Sequence, residues 1–225
     1  QTGAIVYHGS PHKFDKFDSS KIGTGEGAQA YGHGLYQAEA EDVAKQYLQG
    51  DGYLYKSDLP DEHIAKMLDW DKPLSKQHPD VQEILGMNKF GANLRMPTEK
   101  GGWALNYEPD TLGKKLYADI NKEFKSPSGA TEFFKQQGIP GIRYLDGGSR
   151  GAATIYNVGS PKKGFGPYSP FTTLDDAKKQ IELLKGHGFH DAEMRIQQQP
   201  QTSNFVVFPG NEGLLKILER NGGKP

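Results

Sequence analysis

The 225-residue sequence contains no cysteine. That absence excludes disulfides, thiolate nucleophiles and cysteine-based zinc sites, and it leaves oxidising and reducing compartments equally permitted. No apolar run approaches the roughly 20 residues a membrane-spanning helix requires, and the opening stretch into Ala4-Ile5-Val6-Tyr7 has no signal-peptide pattern. An excess of charge is missing too. With 27 basic and 28 acidic side chains the net charge is −1, so no global field draws the chain to nucleic acid or to an anionic membrane. No Gly-Lys-Ser/Thr sequence ends a glycine-rich loop, which removes P-loop nucleotide triphosphatases. The Gly23-x-Gly25-x-x-Ala28 stretch follows no strand and opens no βαβ unit, so a Rossmann fold is rejected. The chain starts on Gln1 without a methionine, and the expectation is a domain cut from a larger polypeptide.

What is abundant is turn chemistry. The 29 glycines and 14 prolines are spread along the chain without a fixed period, as in a fold of short strands joined by many turns. Apolar and β-branched runs predict strands at Ala4–Tyr7, Tyr53–Tyr55, Ile142–Leu145, Ala153–Tyr156, Ala192–Ile196, Asn204–Phe208 and Leu214–Ile217. Helical spacing predicts helices over Glu39–Leu48, Asp61–Leu68, Leu112–Phe124, Ala130–Gln137 and Leu174–Lys185. In the first of these Tyr47 is expected to face inward. Gly138 before Pro140 and Gly186 after Lys185 are stop signals, and Thr173 is an N-cap. Residues 73–128 and 159–200 are expected to be insertions on one domain spanning 1–225, with the core resuming at the step Ala130–Leu145.

Three phrases carry candidate chemistry: Val6-Tyr7-His8-Gly9-Ser10, Tyr31-Gly32-His33-Gly34-Leu35-Tyr36-Gln37-Ala38-Glu39 and Ala44-Lys45-Gln46-Tyr47. Taken singly, a strand-end histidine is commonly a hydrogen-bonded structural residue and a tyrosine at helical spacing is commonly core. Their joint order and spacing resemble the NAD-binding core of ADP-ribosyltransferases, in the diphtheria-toxin and poly(ADP-ribose) polymerase group with a His-Tyr-x signature. The resemblance extends to phage and bacterial members found as toxin or effector domains of polyvalent proteins. It covers Val6–Leu48 well and Asn204–Ile217 passably, and Gly138–Ser149 also matches bacterial and phage members.

The resemblance implies an α+β fold, a split β-sandwich of two small antiparallel sheets with flanking helices and helical insertions. It implies that His8 bonds the adenosine ribose, that the Gly9 backbone holds the nicotinamide carboxamide, and that Ser10 adds a hydroxyl contact. Gly34 opens the Gly-Leu-Tyr phrase, and Tyr36 and Tyr47, eleven residues apart, sandwich the nicotinamide. Aromatic faces suit a ring that is cationic before cleavage. Where the family's phrase continues with Phe-Ala-Asp/Glu, this chain has Gln37-Ala38-Glu39.

The family's third residue is a glutamate opening a late strand, and Asn204 stands there in Ser203-Asn204-Phe205-Val206-Val207-Phe208. Its amide can accept from a ribose hydroxyl but takes no proton at neutral pH. Three readings follow: mono-transfer to a good nucleophile, which ranks first; a base supplied by Glu212, Glu193 or Glu26; or NAD binding without transfer. Polymer elongation is not expected. The expected activity is therefore mono-ADP-ribosyl transfer from NAD to a protein or nucleic-acid acceptor, by a monomeric toxin or effector domain acting in a cytoplasm, after delivery where that cytoplasm is a target cell's. The alternative from another class is a catalytically silent NAD- or nucleotide-binding module, or a structural part of a phage or secreted polyprotein. His187, His190 and Asp191 read as a turn and no metal is expected. Gly147–Gly151 with Arg150 reads equally as a solvated turn or as a loop meeting a phosphate or acceptor, and Lys162-Lys163 as surface charge or a basic rim.

Overall fold

The computed structural model describes residues 3–22, 30–48, 50–85, 96–97, 103–104, 107–151, 153–165 and 170–225. The chain divides into two compact units, Gln1–Leu145 with Ser203–Pro225, and Asp146–Thr202. Among the described residues no helix is long and apolar enough to cross a membrane.

The first unit is mixed α and β. In chain order it contains β1 (Gly3–Ser10), β2 (Leu35–Ala38), α1 (Glu41–Lys45), β3 (Tyr53–Pro60), α2 (Asp61–Ala65), β4 (Leu68–Asp69), α3 (Pro79–Ile84), β5 (Met96–Pro97), β6 (Trp103–Ala104), α4 (Gly113–Phe124), α5 (Pro127–Gln136) and β7 (Gly141–Leu145). The second unit holds β8 (Thr154–Gly159), α6 (Leu174–Gly186) and β9 (Glu193–Gln198), and the chain returns to the first unit with β10 (Ser203–Val207) and β11 (Lys216–Arg220). The second unit's two strands pair antiparallel from Thr154 opposite Gln198 to Gly159 opposite Glu193. Thr173 caps α6 by accepting from the Asp176 N–H, as its sequence predicts.

Seven strands form one sheet in the order β11-β3-β1-β2-β10-β7-β4, antiparallel except where β4 runs parallel to β7. Two small antiparallel sheets are expected from the sequence; these seven strands instead form a single sheet with a seam, and β5–β6 and β8–β9 pair separately. β1 and β3 stay paired from Gly3 opposite Pro60 to Ser10 opposite Tyr53. β2 and β10 pair from Leu35 to Ala38. Between these two groups, β1 and β2 register only through Tyr7 opposite Ala38. Past that pair the strands part, and the ladder gives way to a side chain: His8 Nδ1 lies 2.7 Å from the Tyr36 carbonyl oxygen.

The strand pleat sorts the core into two layers. Val206 and Ile142 pack with Leu68, Leu116, Ile120, Phe134 and Phe208 on one face, and Tyr36 rests against them. Phe205, Val207 and Leu35 pack with Val6, Tyr55, Leu59 and Phe17 on the other. Burying both faces of β10 accounts for its uninterrupted apolar run. Leu74, Val81, Tyr107, Leu116 and Ile120 lie in the 73–128 stretch, and all belong to the first layer, so this stretch supplies core as well as surface.

Several elements differ from their sequence expectation for local reasons. β2 falls where the sequence predicts no strand. The helix expected over Glu39–Leu48 is only Glu41–Lys45, and its N-cap Ala40 offers no side-chain acceptor to hold its start. Tyr47 therefore lies in the turn after α1 and is 50% exposed rather than inward-facing. α2 stops at Ala65, which frees Leu68 to extend in β4 beside β7. The last strand starts at Lys216, after a 3-10 turn over Glu212–Leu214.

Candidate functional site

The seam opens into a cavity of about 1190 Å³, walled by the end of β1, the following loop to Asp18, β2, α1 with its trailing turn, and Tyr144 and Asn204 from β7 and β10. Small-molecule sites commonly enclose about 300–1,000 Å³. All seven residues singled out by sequence, His8, Gly9, Ser10, Gly34, Tyr36, Tyr47 and Asn204, line this one cavity.

His8 is held by its sheet position and by rings. It packs edge-on to Phe17 at 5.4 Å between centroids, and Phe14 stacks on Tyr55 at 4.0 Å beside it. The loop that carries Phe14 is pinned, because the Phe14 N–H donates to the Tyr55 hydroxyl at 2.8 Å and Arg220 donates to the Phe14 carbonyl at 3.1 Å. Facing a carbonyl oxygen, His8 Nδ1 must carry the proton. Burial pushes the imidazole pKa down, outweighing the opposing Tyr36 hydrogen bond, so the ring is neutral at pH 7. Its Nε2 is consequently an acceptor, suited to a sugar hydroxyl.

The glycines are dictated by packing. A Cβ on Gly9 would collide with the Ala44 carbonyl oxygen of α1, and one on Gly34 would lie 2.6 Å from both Val206 Cγ1 and the Val207 oxygen. At both positions the chain can run this close to its neighbours only without a side chain. Ser10 is buried, and its Oγ accepts from the His12 N–H at 3.1 Å, which turns the chain into the loop.

Tyr36 is fixed at its far end. Its hydroxyl donates to the Gly32 carbonyl at 2.8 Å and accepts from the Tyr31 N–H at 3.1 Å. Burial pushes its phenol pKa far up, which keeps the ring neutral and leaves its face as the useful surface. The half-exposed Tyr47 contributes a second aromatic wall. Two further tyrosines escape the sequence reading: Tyr31 and Tyr144 stack face to face at 3.8 Å and both line the cavity. Their separation of over a hundred residues hides the pair from any local pattern.

Asn204 sits between Ala38 of β2 and Tyr144 of β7. Burial drives the Tyr144 phenol pKa far up, and a hydrogen bond from the Asn204 amide is a minor opposing effect. The Asn204 Oδ1 atom is buried without a partner. Gln37, opposite Phe205 in the same sheet, is 2% exposed, lines the cavity, and has neither Oε1 nor Nε2 paired. An unsatisfied buried polar group costs about 1–3 kcal/mol, so these two amides carry an unmet hydrogen-bonding demand at residues that line the cavity. A polar residue within an otherwise apolar strand was the available signal for Gln37.

The alternative bases lie elsewhere. Glu212 does not line the cavity; burial raises its pKa, but hydrogen bonds from Ser19 and from backbone amides prevail and hold it below the ordinary carboxylate value. Glu193 belongs to the second unit, 3.7 Å from Arg195. Glu26, with the Gly23–Gly27 cluster, lies outside the described residues. Glu39 clips the start of β10, accepting from the Ser203 N–H at 2.8 Å. Among the described lining residues the carboxylates are Asp15, bonded to Arg220 at 3.0 Å, and Asp18, which caps the turn at Ser19, while Lys13, Lys16 and Lys21 bring positive charge to the same loop.

In the second unit, His187 and His190 line a shallow cavity of about 580 Å³ with Lys162 and Lys163, while Asp191 accepts from the Ser160 hydroxyl at 2.8 Å. Gly147–Ser149 form a 3-10 turn capped by Asp146. No family model matches this sequence, and no curated protein or solved structure matches it either.

Proposed function

We propose that the seam cavity binds NAD and that the chain is a mono-ADP-ribosyltransferase, its fold a variant of the split sandwich of that superfamily. The observation that carries this reading is the convergence of His8, Gly9, Tyr36, Tyr47 and Asn204, drawn from three separated stretches of sequence, on one cavity at the parting of β1 and β2. The donor set fits the dinucleotide. His8 Nε2 accepts from a ribose hydroxyl, the Tyr36 and Tyr47 rings flank a cationic pyridinium, and Lys13, Lys16 and Lys21 at the loop attract a diphosphate.

In the reaction, the bond between the ribose C1′ and the nicotinamide nitrogen breaks, and its electron pair stays on nicotinamide and neutralises the ring. A nucleophile on the acceptor forms the new bond to C1′ and gives up its proton. Asn204 Oδ1 can orient a ribose hydroxyl but cannot take that proton, so the acceptor must be reactive on its own or bring its own base. This rules against chain elongation and favours a single transfer to a protein or nucleic acid, in keeping with a toxin or effector domain.

The second reading, a silent NAD-binding module, is favoured by one feature: Asp15 and Asp18, the carboxylates among the described lining residues, are both engaged in holding the loop. One experiment decides between them. Incubated with NAD and cell lysate, the protein is expected to release nicotinamide and label macromolecules, with Tyr36→Ala at least about tenfold slower. Release no faster than in that variant would remove the transferase. Digestion of the labelled lysate with protease or nuclease then identifies the acceptor class.

A further inference from the structure

Two turns of the second unit, remote from one another in sequence, wall its cavity of about 580 Å³. Lys162 and Lys163 come from the turn after β8, and His187, Phe189 and His190 from the turn after α6. Both turns are fixed by their own backbones. In the first, the Lys163 and Gly164 N–H groups donate to the Ser160 carbonyl at 3.1 and 2.7 Å. In the second, the Phe189 N–H donates to the Leu184 carbonyl and the Gly188 N–H to the Lys185 carbonyl, both at 3.0 Å, with Gly188 at φ 90°. This is the glycine closure that satisfies the last carbonyls of a helix. Asp191 ties the turns together, accepting from the Ser160 hydroxyl at 2.8 Å and from the Lys162 N–H at 3.3 Å.

Charge in this unit is unevenly matched. Lys179 and Lys185 pair along α6 with Asp176 and Glu182, and Arg195 pairs with Glu193. Among the described residues neither Lys162 nor Lys163 is in an ion pair, although both are exposed and line the cavity. Asp191 is the one carboxylate among the described lining residues, and its Oδ2 is already taken up in the wall. What the cavity offers a ligand is two ammonium groups, two imidazoles and the half-buried ring of Phe189. Lysine binds phosphate as a point charge, imidazole adds an N–H donor, and an aromatic ring within a cationic groove is a stacking platform for a base. An acidic peptide would complement the lysines and leave the ring without a partner. We propose that this cavity binds single-stranded nucleic acid, with a backbone phosphate held by Lys162 and Lys163 and a base stacked on Phe189. The inference does not depend on the NAD reading; together with it, it selects nucleic acid as the class of acceptor.

Fluorescence anisotropy of labelled single-stranded RNA and DNA of about twelve nucleotides, across a series of salt concentrations and without NAD, tests this, with melting temperature as a check on folding. Lys162→Ala/Lys163→Ala is expected to bind at least about tenfold more weakly and to reduce the slope of log affinity against log salt by about 1.4, two phosphate contacts' worth. Phe189→Ala is expected to bind at least about fivefold more weakly with the slope unchanged, the signature of lost stacking. The RNA and DNA arms show which of the two is preferred. Wild-type protein that binds neither strand would overturn the inference, as would equal affinities in wild type and both folded variants. Displacement of the oligonucleotide by polyglutamate at matched charge would also overturn it, assigning the cavity to an acidic protein. Titration of the same variants with NAD is expected to match wild type, so failure of either reading is seen separately from failure of the other.

Discussion

His8 shows how a single side chain can be structural and chemical at once. Its Nδ1–H spans the gap that the missing backbone ladder leaves between β1 and β2, and the same bond fixes Nε2 as an acceptor toward the cavity. The imidazole pKa is lowered by burial, so between the folded value and the ordinary value of about 6.5 the unfolded chain holds a proton that the native chain does not. Stability from this group is fully present above about pH 6.5 and declines as pH falls toward the folded value. Melting temperature is accordingly expected to drop between pH 7.5 and 5, and the drop should be smaller in His8→Gln. Identical pH profiles for the two proteins would show that His8 is not buried neutral. Asn204 makes the complementary point: a neutral amide tolerates burial beside Tyr144, where an ionised carboxylate would need a partner.

At the level of elements, the site depends on how closely α1 approaches β1. Gly9 lets the Ala44 carbonyl come against the strand, and the turn that carries Tyr47 follows directly from α1. Gly9→Ala is expected to displace that helix, with an overpacking cost of about 1–3 kcal/mol and weaker NAD binding. Unfolding and titration measure both effects, and unchanged stability would mean that the helix has slack the structure does not show. The same element marks a limit of pattern reading. Helical periodicity continues through Tyr47, but the helix ends at Lys45, so the tyrosine reaches the cavity from a turn. Strands built from β-branched and aromatic runs, such as β1, β7 and β10, were legible, and so were helices with stops and caps, such as α5 before Gly138 and α6 after Thr173. β2 and β4 were not. Four residues in the first and two in the second carry too little local preference, and both exist because a neighbouring strand completes them.

On the scale of the whole molecule, the described cavity is built within the first unit, while Asp146–Thr202 is spliced between β7 and β10. Leu145 and Ser203, which flank the splice, are direct partners across those two strands. A two-residue turn can join antiparallel neighbours. Replacing Asp146–Thr202 by Asn-Gly is therefore expected to leave a cooperatively unfolding protein with unchanged NAD affinity, measured by melting and titration; loss of binding in a folded variant would assign part of the donor site to the second unit. By itself the sequence singled out seven of the residues that line the candidate site, because the phrases around His8, Tyr36, Tyr47 and Asn204 are local and their order is distinctive. It also determined the apolar and β-branched runs that make β1 and β10 strands. Only the tertiary structure decided that β1 and β2 part after one registered pair, that Tyr31 meets Tyr144, and that Gln37 is buried unpaired rather than solvated. Each of these depends on segments remote in sequence meeting across the sheet, and a local pattern cannot encode which distant strand will stand opposite a residue or where two strands will separate.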